Sequence, residues 1–238
     1  MVLLLWVYSM SYLSIYSLRV EIHFNNTHLH LIPMDYRQIT PLYMIFYIAA
    51  LVFFYELFMI LPSTWIELLT AQISSDALNA LGLISEYGIR QGWVWMTLLG
   101  GNRDVQVYII RECTAFHVWG ILLGLILPLN GPALARKLKA VVFGGVLVFI
   151  MNITRVLVTV YLTGYDVPPF SWFFTNPTIE TYHYPVSFAY GVIGIAIVVS
   201  LINTYILPEL GDFLVALPDA VMNVLGRTVN QKESPQSG

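Results

Sequence analysis

The sequence predicts an all-α membrane protein: a bundle of about five to seven transmembrane and interfacial helices, with a short β-like outer segment ahead of a cysteine-bearing helix. Three observations predict it. The 238 residues are 58% hydrophobic and 11% charged, with a mean hydropathy of +0.72, whereas soluble domains carry about 25% charged residues. Five apolar runs approach or exceed the roughly 17–25 residues that cross a ~30 Å hydrocarbon core. One stretch between them is punctuated by glycine and alternates apolar with polar residues, the pattern of strands rather than helix. The net charge of -3 gives nucleic acid no basic footing. One cysteine excludes an internal disulfide framework and any CxxC redox pair.

The spans are expected at residues 2–18, 42–61, 113–129, 138–163 and 185–207 of a single polytopic domain, 1–238. The first, Val2 to Leu18, lacks a basic n-region and a small-residue cleavage site before Arg19-Val20-Glu21, so it reads as a retained span and not a cleaved signal peptide. A polar loop follows with His23, His28 and His30, whose spacing fits no helix-face metal pair, and with Asn25-Asn26-Thr27, which has the form of a glycosylation sequon. The second span carries one acid, Glu56, which at that depth calls for a hydrogen-bonding partner inside the bundle. Pro62 ends it, and Ser63 or Thr64 can cap the next helix. Residues 64–85 mix helically spaced Trp65, Leu68, Leu69, Ile73 and Leu78 with Glu67, Ser74, Ser75 and Asp76, the pattern of an interfacial helix. Val105, Val107 and Ile109 then alternate as a strand does, and Gly100-Gly101-Asn102 marks a hairpin turn.

Orientation comes from the loop between the third and fourth spans. It holds Arg136, Lys137 and Lys139, and short loops rich in Lys and Arg stay cytoplasmic. The third span then runs inwards, with Cys113 at the outer face. Arg155 lies sixteen residues beyond Lys139, about 24 Å along a helix, in the outer part of the fourth span. His183 closes an outer loop that holds no Lys or Arg and is rich in Tyr, Trp and Phe. A short amphipathic segment, Phe213 to Leu225, and a cytoplasmic tail, 226–238, complete the chain. Cys113, Arg155 and His183 thus reach one membrane level by an argument that did not use them.

Those three residue types are what acyl transfer from a peptide needs. A thiolate is the nucleophile, and neighbouring cations activate it. A histidine can take the thiol proton and return it to a leaving amine. An arginine can hold a substrate carbonyl or the oxyanion that follows. His117, one helical turn after Cys113 and on the same helix face, competes with His183 for the base. Arg111 and Glu112 flank the thiol and either tune it or mark the headgroup boundary, Thr114 is a further supporting candidate, and Asn152 is placed to orient Arg155. Each residue also has a structural reading: Cys113 as a small buried hydrophobe, Arg155 paired with Glu56 or snorkelling outwards, and His183 as an interfacial residue.

Glu112-Cys113-Thr114-Ala115 opening one span, Asn152-Ile153-Thr154-Arg155 in the next and His183 opening the one after resemble the exosortase/archaeosortase family, with a leaning to archaeosortases. The resemblance covers roughly Leu78 to Leu207. It departs at Ala115, where the family commonly has Gly. It implies a membrane-embedded cysteine protease or transpeptidase with Cys113, Arg155 and His183 as its catalytic set, and neither cofactor nor metal. It further implies secreted protein substrates whose C-terminal signal joins a short motif, a transmembrane helix and a basic cluster. These would be cleaved at the outer face of the plasma membrane through a thioester and passed to a surface acceptor, a lipid being the first candidate. The alternative is a non-catalytic scaffold or small transporter, with Arg155 and Glu56 lining a polar cavity.

Overall fold

The computed structural model describes residues 40–169, 172, 174 and 177–232. The expected span at 2–18 and the histidine-bearing loop after it lie outside the described residues, as does the chain beyond Lys232.

Among the described residues six α-helices and one small sheet follow in order. Helix α1, Pro41–Ile60, opens where Thr40 accepts a hydrogen bond from the Tyr43 N–H (3.2 Å), with proline in its first turn, a position where the missing N–H is no loss. Helix α2 is Thr64–Ala80. Strands β1 (Tyr87–Arg90), β2 (Trp93–Leu98) and β3 (Val105–Tyr108) form an antiparallel sheet in the order β1-β2-β3. A 3-10 turn, Arg111–Thr114, leads into α3, Phe116–Ile126. Helices α4 (Leu134–Tyr165), α5 (Ile179–Tyr205) and α6 (Pro208–Lys232) complete the order. The all-α membrane class therefore holds, and the β-like segment is a full three-stranded sheet. Helices α1, α4 and α5 are long and apolar enough to cross a membrane, and α3 is a shorter apolar helix.

Several boundaries differ from the expected ones for local reasons. The apolar run at 113–129 is helical only from Phe116, because Ala115 adopts the left-handed conformation (φ 54°, ψ 21°) and separates the cysteine turn from the helix. Helix α5 begins six residues before Pro185, so His183 lies inside it; proline is tolerated this near a helix start but is avoided deeper in. Helix α6 starts at Pro208, five residues before the expected amphipathic segment.

Helix α3 docks on α1 through two glycines. A Cβ at Gly120 would lie 2.5 Å from the Phe54 carbonyl oxygen, and one at Gly124 would lie 2.6 Å from the Leu51 Cα. Only small residues let two helix backbones approach so closely. Tyr43 adds a hydrogen bond from its hydroxyl to the Pro128 carbonyl (2.9 Å), and Tyr47 bonds the Leu125 carbonyl.

The hydrophobic core is divided in two along α4. One cluster gathers Tyr47, Leu122, Ile126, Val141, Ile202, Leu210 and Phe213 around the start of α4. The other packs Ala71 and Leu78 of α2 and Val94, Met96, Leu98, Val105 and Val107 of the sheet onto Val156 and Val160. Val141 and Val156 are fifteen residues apart, about 22 Å along the helix. The charges used above to orient the chain also hold the first end together. Arg136 makes a two-pronged ion pair with Glu209 (2.9 and 3.1 Å) and donates to the Ile206 carbonyl (3.1 Å). Lys137 donates to the Leu127 carbonyl at the end of α3 (2.8 Å). At the other end the hairpin between β2 and β3 is strapped to α4. Asn102 donates to the Tyr165 carbonyl (2.8 Å), and Arg103 to the Thr163 carbonyl (3.0 Å) and to Asp166.

Candidate active site

Cys113 lies on the 3-10 turn between β3 and α3, outside the membrane-spanning helices and packed against the sheet-side core. Ile110 is still extended (φ -102°, ψ 170°), so the strand ends where the turn begins. Thr114 fastens the turn from within: its hydroxyl donates to the Arg111 carbonyl (2.6 Å) and accepts from the Phe116 N–H (3.2 Å). The Cys113 N–H donates to the Ile110 carbonyl (2.8 Å). Left-handed backbone at a residue with a Cβ costs about 1–2 kcal/mol, so at Ala115 these contacts hold a conformation that glycine would adopt more readily.

Two side chains fix the turn from outside. Arg111 donates through Nε to the Ser63 hydroxyl (3.1 Å) and through Nη2 to the Leu61 carbonyl (3.0 Å). Ser63 in turn donates to Glu67 (2.6 Å). Its hydroxyl therefore serves this network and makes no capping bond to α2. Asn152, buried in α4, donates its side-chain amide to the Cys113 carbonyl. It was expected to orient Arg155, and it holds the cysteine's backbone instead.

Arg155 is one turn further along α4. Its Nη2 donates to the Glu112 carbonyl and its Nη1 to the Ser187 hydroxyl, each at 3.4 Å. Ser187 also lies 3.4 Å from Nε2 of His183. His183 and Ser187 are four residues apart on α5, which puts them on one helix face. Arg155 thus stands between the cysteine turn and His183. Glu112 contributes its backbone here, while its side chain is exposed. Three α-carbon segments far apart in sequence meet at this point.

His117 is placed otherwise. The left-handed Ala115 breaks the helical relation that spacing alone implies between it and Cys113. Its ring stands edge-on to Tyr55, with centroids 6.3 Å apart, and among the described residues its buried Nδ1 has no hydrogen-bond partner. Glu56 is exposed, and among the described residues no ion pair joins it to Arg155. Among the described residues neither the expected hydrogen bond of Glu56 inside the bundle nor a cavity shared with Arg155 is seen.

Burial pushes the Cys113 thiol above its ordinary pKa; the Ile110 backbone amide and the Arg155 guanidinium act against that rise, and Glu112 and Glu67 add to it. At neutral pH the resting group is the thiol. A nucleophile in this state needs a base to take its proton as it attacks. Among the described residues no group of three or more His, Cys, Asp or Glu side chains is arranged to hold a metal ion.

Ser187 and Ser63 are the site-forming residues that sequence reasoning missed, and Arg111, read as a neighbour that tunes the thiol or marks the headgroup boundary, instead anchors the turn to Ser63 and Leu61. The signal for Ser187 was a hydroxyl four residues after His183 in an apolar helix. Arg111 and Ser63 are 48 residues apart, and nothing in the sequence joins them.

The family model for transmembrane exosortase (Exosortase_EpsH) matches residues 35–175, more than half of the chain. The match takes in Cys113 and Arg155 and ends before His183. No curated protein and no solved structure matches the chain.

Proposed function

The chain belongs to the transmembrane exosortase family, and on that premise we propose that it is a cysteine transpeptidase that processes the C-terminal sorting signals of secreted proteins. Cys113 is the nucleophile, Arg155 holds the scissile carbonyl, and His183 is the acid and base. The observation that carries this assignment is the hydrogen-bonded row from His183 through Ser187 and Arg155 to the Glu112 carbonyl, beside the only cysteine of the chain.

The reaction divides into two steps. Sγ attacks the scissile carbonyl as its proton passes to His183. The C–O π pair moves onto oxygen, where the Arg155 guanidinium stabilises it. The oxyanion collapses, the C–N bond breaks, and the leaving amine takes the proton from His183. The product is an acyl thioester on Cys113. A hydroxyl or amine of the acceptor, giving its proton to His183, then attacks the thioester, and the thiol regains a proton as it leaves. Water in place of the acceptor yields hydrolysis. A surface lipid with a free hydroxyl suits the second step, because a site at the membrane border meets lipid headgroups.

Asn152, Thr114 and Arg111 are positioning residues in this scheme, since each holds the backbone that carries Sγ. His183 is preferred to His117 as base because only His183 is linked to Arg155. The cysteine end of the bundle faces the extracytoplasmic side, by the loop charges Arg136, Lys137 and Lys139. The cavity-lining transporter is disfavoured because Glu56, exposed, supplies no second charge beside Arg155.

The test compares processing of a tripartite-tail reporter by wild type and by Cys113→Ala at matched membrane expression. The reporter is a soluble domain carrying the C-terminal membrane segment and Lys/Arg cluster of a secreted protein from the source cell. Loss of processing is expected. Processing that survives Cys113→Ala removes the nucleophile and the proposal with it.

A further inference from the structure

The sheet ends at the thiol, and its hydrogen-bond register shows what the last strand leaves open. Cα partners between β2 and β3 are Trp95 with Tyr108, Met96 with Val107, Thr97 with Gln106 and Leu98 with Val105. The Ile109 N–H donates to the Val94 carbonyl (2.9 Å). In an antiparallel pair, residues alternate between bonding inwards and facing away. Residues 105, 107 and 109 therefore bond to β2, and the backbone groups of Gln106 and Tyr108 face the other way. Among the described residues strand β3 is an edge of the sheet, and no hydrogen bond is made to these outward groups.

The same outward row continues into the active site. Ile110 is the next residue in it. Its backbone amide is the one that acts on the Cys113 sulfur, and its carbonyl takes the Cys113 N–H. The thiol therefore stands at the end of a short row of free backbone donors and acceptors. Among the described residues no hydrogen bond from α4 reaches this row: the strap to α4 holds the hairpin at Asn102 and Arg103, before β3 begins. The side chains of Gln106 and Tyr108 are exposed, while Val105 and Val107 face the core.

An open strand edge takes up extended polypeptide by main-chain hydrogen bonds, with alternate side chains read on the sheet face. We propose that the outward edge of β3, Gln106 to Tyr108, binds the peptide segment that precedes the substrate's membrane helix as a fourth strand and leads its backbone to Cys113. The occupant is an extended peptide because the free groups are backbone N–H and C=O at strand spacing, which match another backbone. The inference rests on the transpeptidase reading for the identity of the peptide. It adds where that peptide lies and implies that recognition is partly independent of sequence, with exposed Tyr108 reading every second residue.

The test has two arms, both with the tripartite-tail reporter. In the Cys113→Ala background, which has no other cysteine, Gln106→Cys or Tyr108→Cys is paired with single cysteines stepped along the reporter ahead of its membrane helix. Neighbouring strands bring paired Cβ atoms to about 4.5–5.5 Å, so oxidation should cross-link every second reporter position. The pattern should shift by two on moving from residue 106 to 108. In the second arm Gln106→Pro removes one outward N–H and no ladder bond. Processing should fall about tenfold, on the scale of a lost hydrogen bond. Ile89→Pro, the same change on the opposite edge, should keep more than half the wild-type rate. Absent cross-links, cross-links at helical spacing, or equal loss from the two proline variants overturns the assignment. The cross-linking arm runs without the thiol, so it fails or succeeds separately from the transpeptidase reading, which Cys113→Ala tests alone.

Discussion

Arg155→Lys separates the charge of this residue from its shape. The guanidinium reaches two acceptors at once, the Glu112 carbonyl and the Ser187 hydroxyl, each at 3.4 Å. Those are long contacts, so each contributes at most about 0.5 kcal/mol to stability, and a lysine at this position should fold. Lysine keeps the positive charge but has one compact ammonium in place of a planar fork. It cannot keep both acceptors and still present a donor to a substrate carbonyl. Loss of one preorganised oxyanion donor costs about 2.7–4 kcal/mol of transition-state stabilisation, or 10²–10³ in rate. Reporter processing by Arg155→Lys should therefore fall by two to three orders of magnitude, while its detergent-solubilised melting temperature moves by only a few degrees. The control is alkylation of Cys113 by iodoacetamide, which needs the thiol but not the oxyanion donor. A lysine variant that processes substrate within about threefold of wild type, under ~0.7 kcal/mol, would refute the reasoning: charge alone would then suffice, and the fork would have no part in the chemistry.

Two further outcomes follow from the turn. Ala115→Gly should raise thermal stability by up to about 1 kcal/mol, the relief of the left-handed backbone less the entropy of glycine; a fall in melting temperature would mean that the methyl packs usefully at φ 54°. Because burial holds the Cys113 pKa up, thiolate gathers only as pH rises, so iodoacetamide alkylation should keep accelerating past the ~8.5 of a free cysteine. Arg155→Gln should push that profile to still higher pH, and a plateau below neutral pH would contradict both.

The sequence made the gross architecture readable because lipid allows few solutions. Long apolar runs became α1, α4 and α5, α1 within one residue of its expected bounds and α5 six residues early, and the alternation that starts at Val105 and Val107 became β3. Arg155 stood out because a cation in an apolar helix needs a reason. What spacing could not supply was backbone conformation. Counting four residues from Cys113 to His117 assumes a continuous helix, and one left-handed residue, Ala115, removes that assumption. The role of Asn152 was misread for a related reason: its neighbour in sequence is Arg155, but its neighbour in space comes from a turn 39 residues earlier. Gly120 and Gly124, one helical turn apart, carried a close-packing signal that composition alone does not distinguish from any other apolar helix.

Division of the core along α4 also sets a timetable for making the enzyme. Cys113 is synthesised forty-two residues before Arg155 and seventy before His183. The sheet and α2 can form early, but their core is incomplete until Val156 and Val160 arrive. The Asn152 bond that fixes the cysteine's carbonyl comes with the same helix. A nascent chain halted after α3 would carry Cys113 without Arg155 and without His183. On the transpeptidase reading proposed above, the catalytic set is thus complete only late in membrane assembly, once α5 has been made.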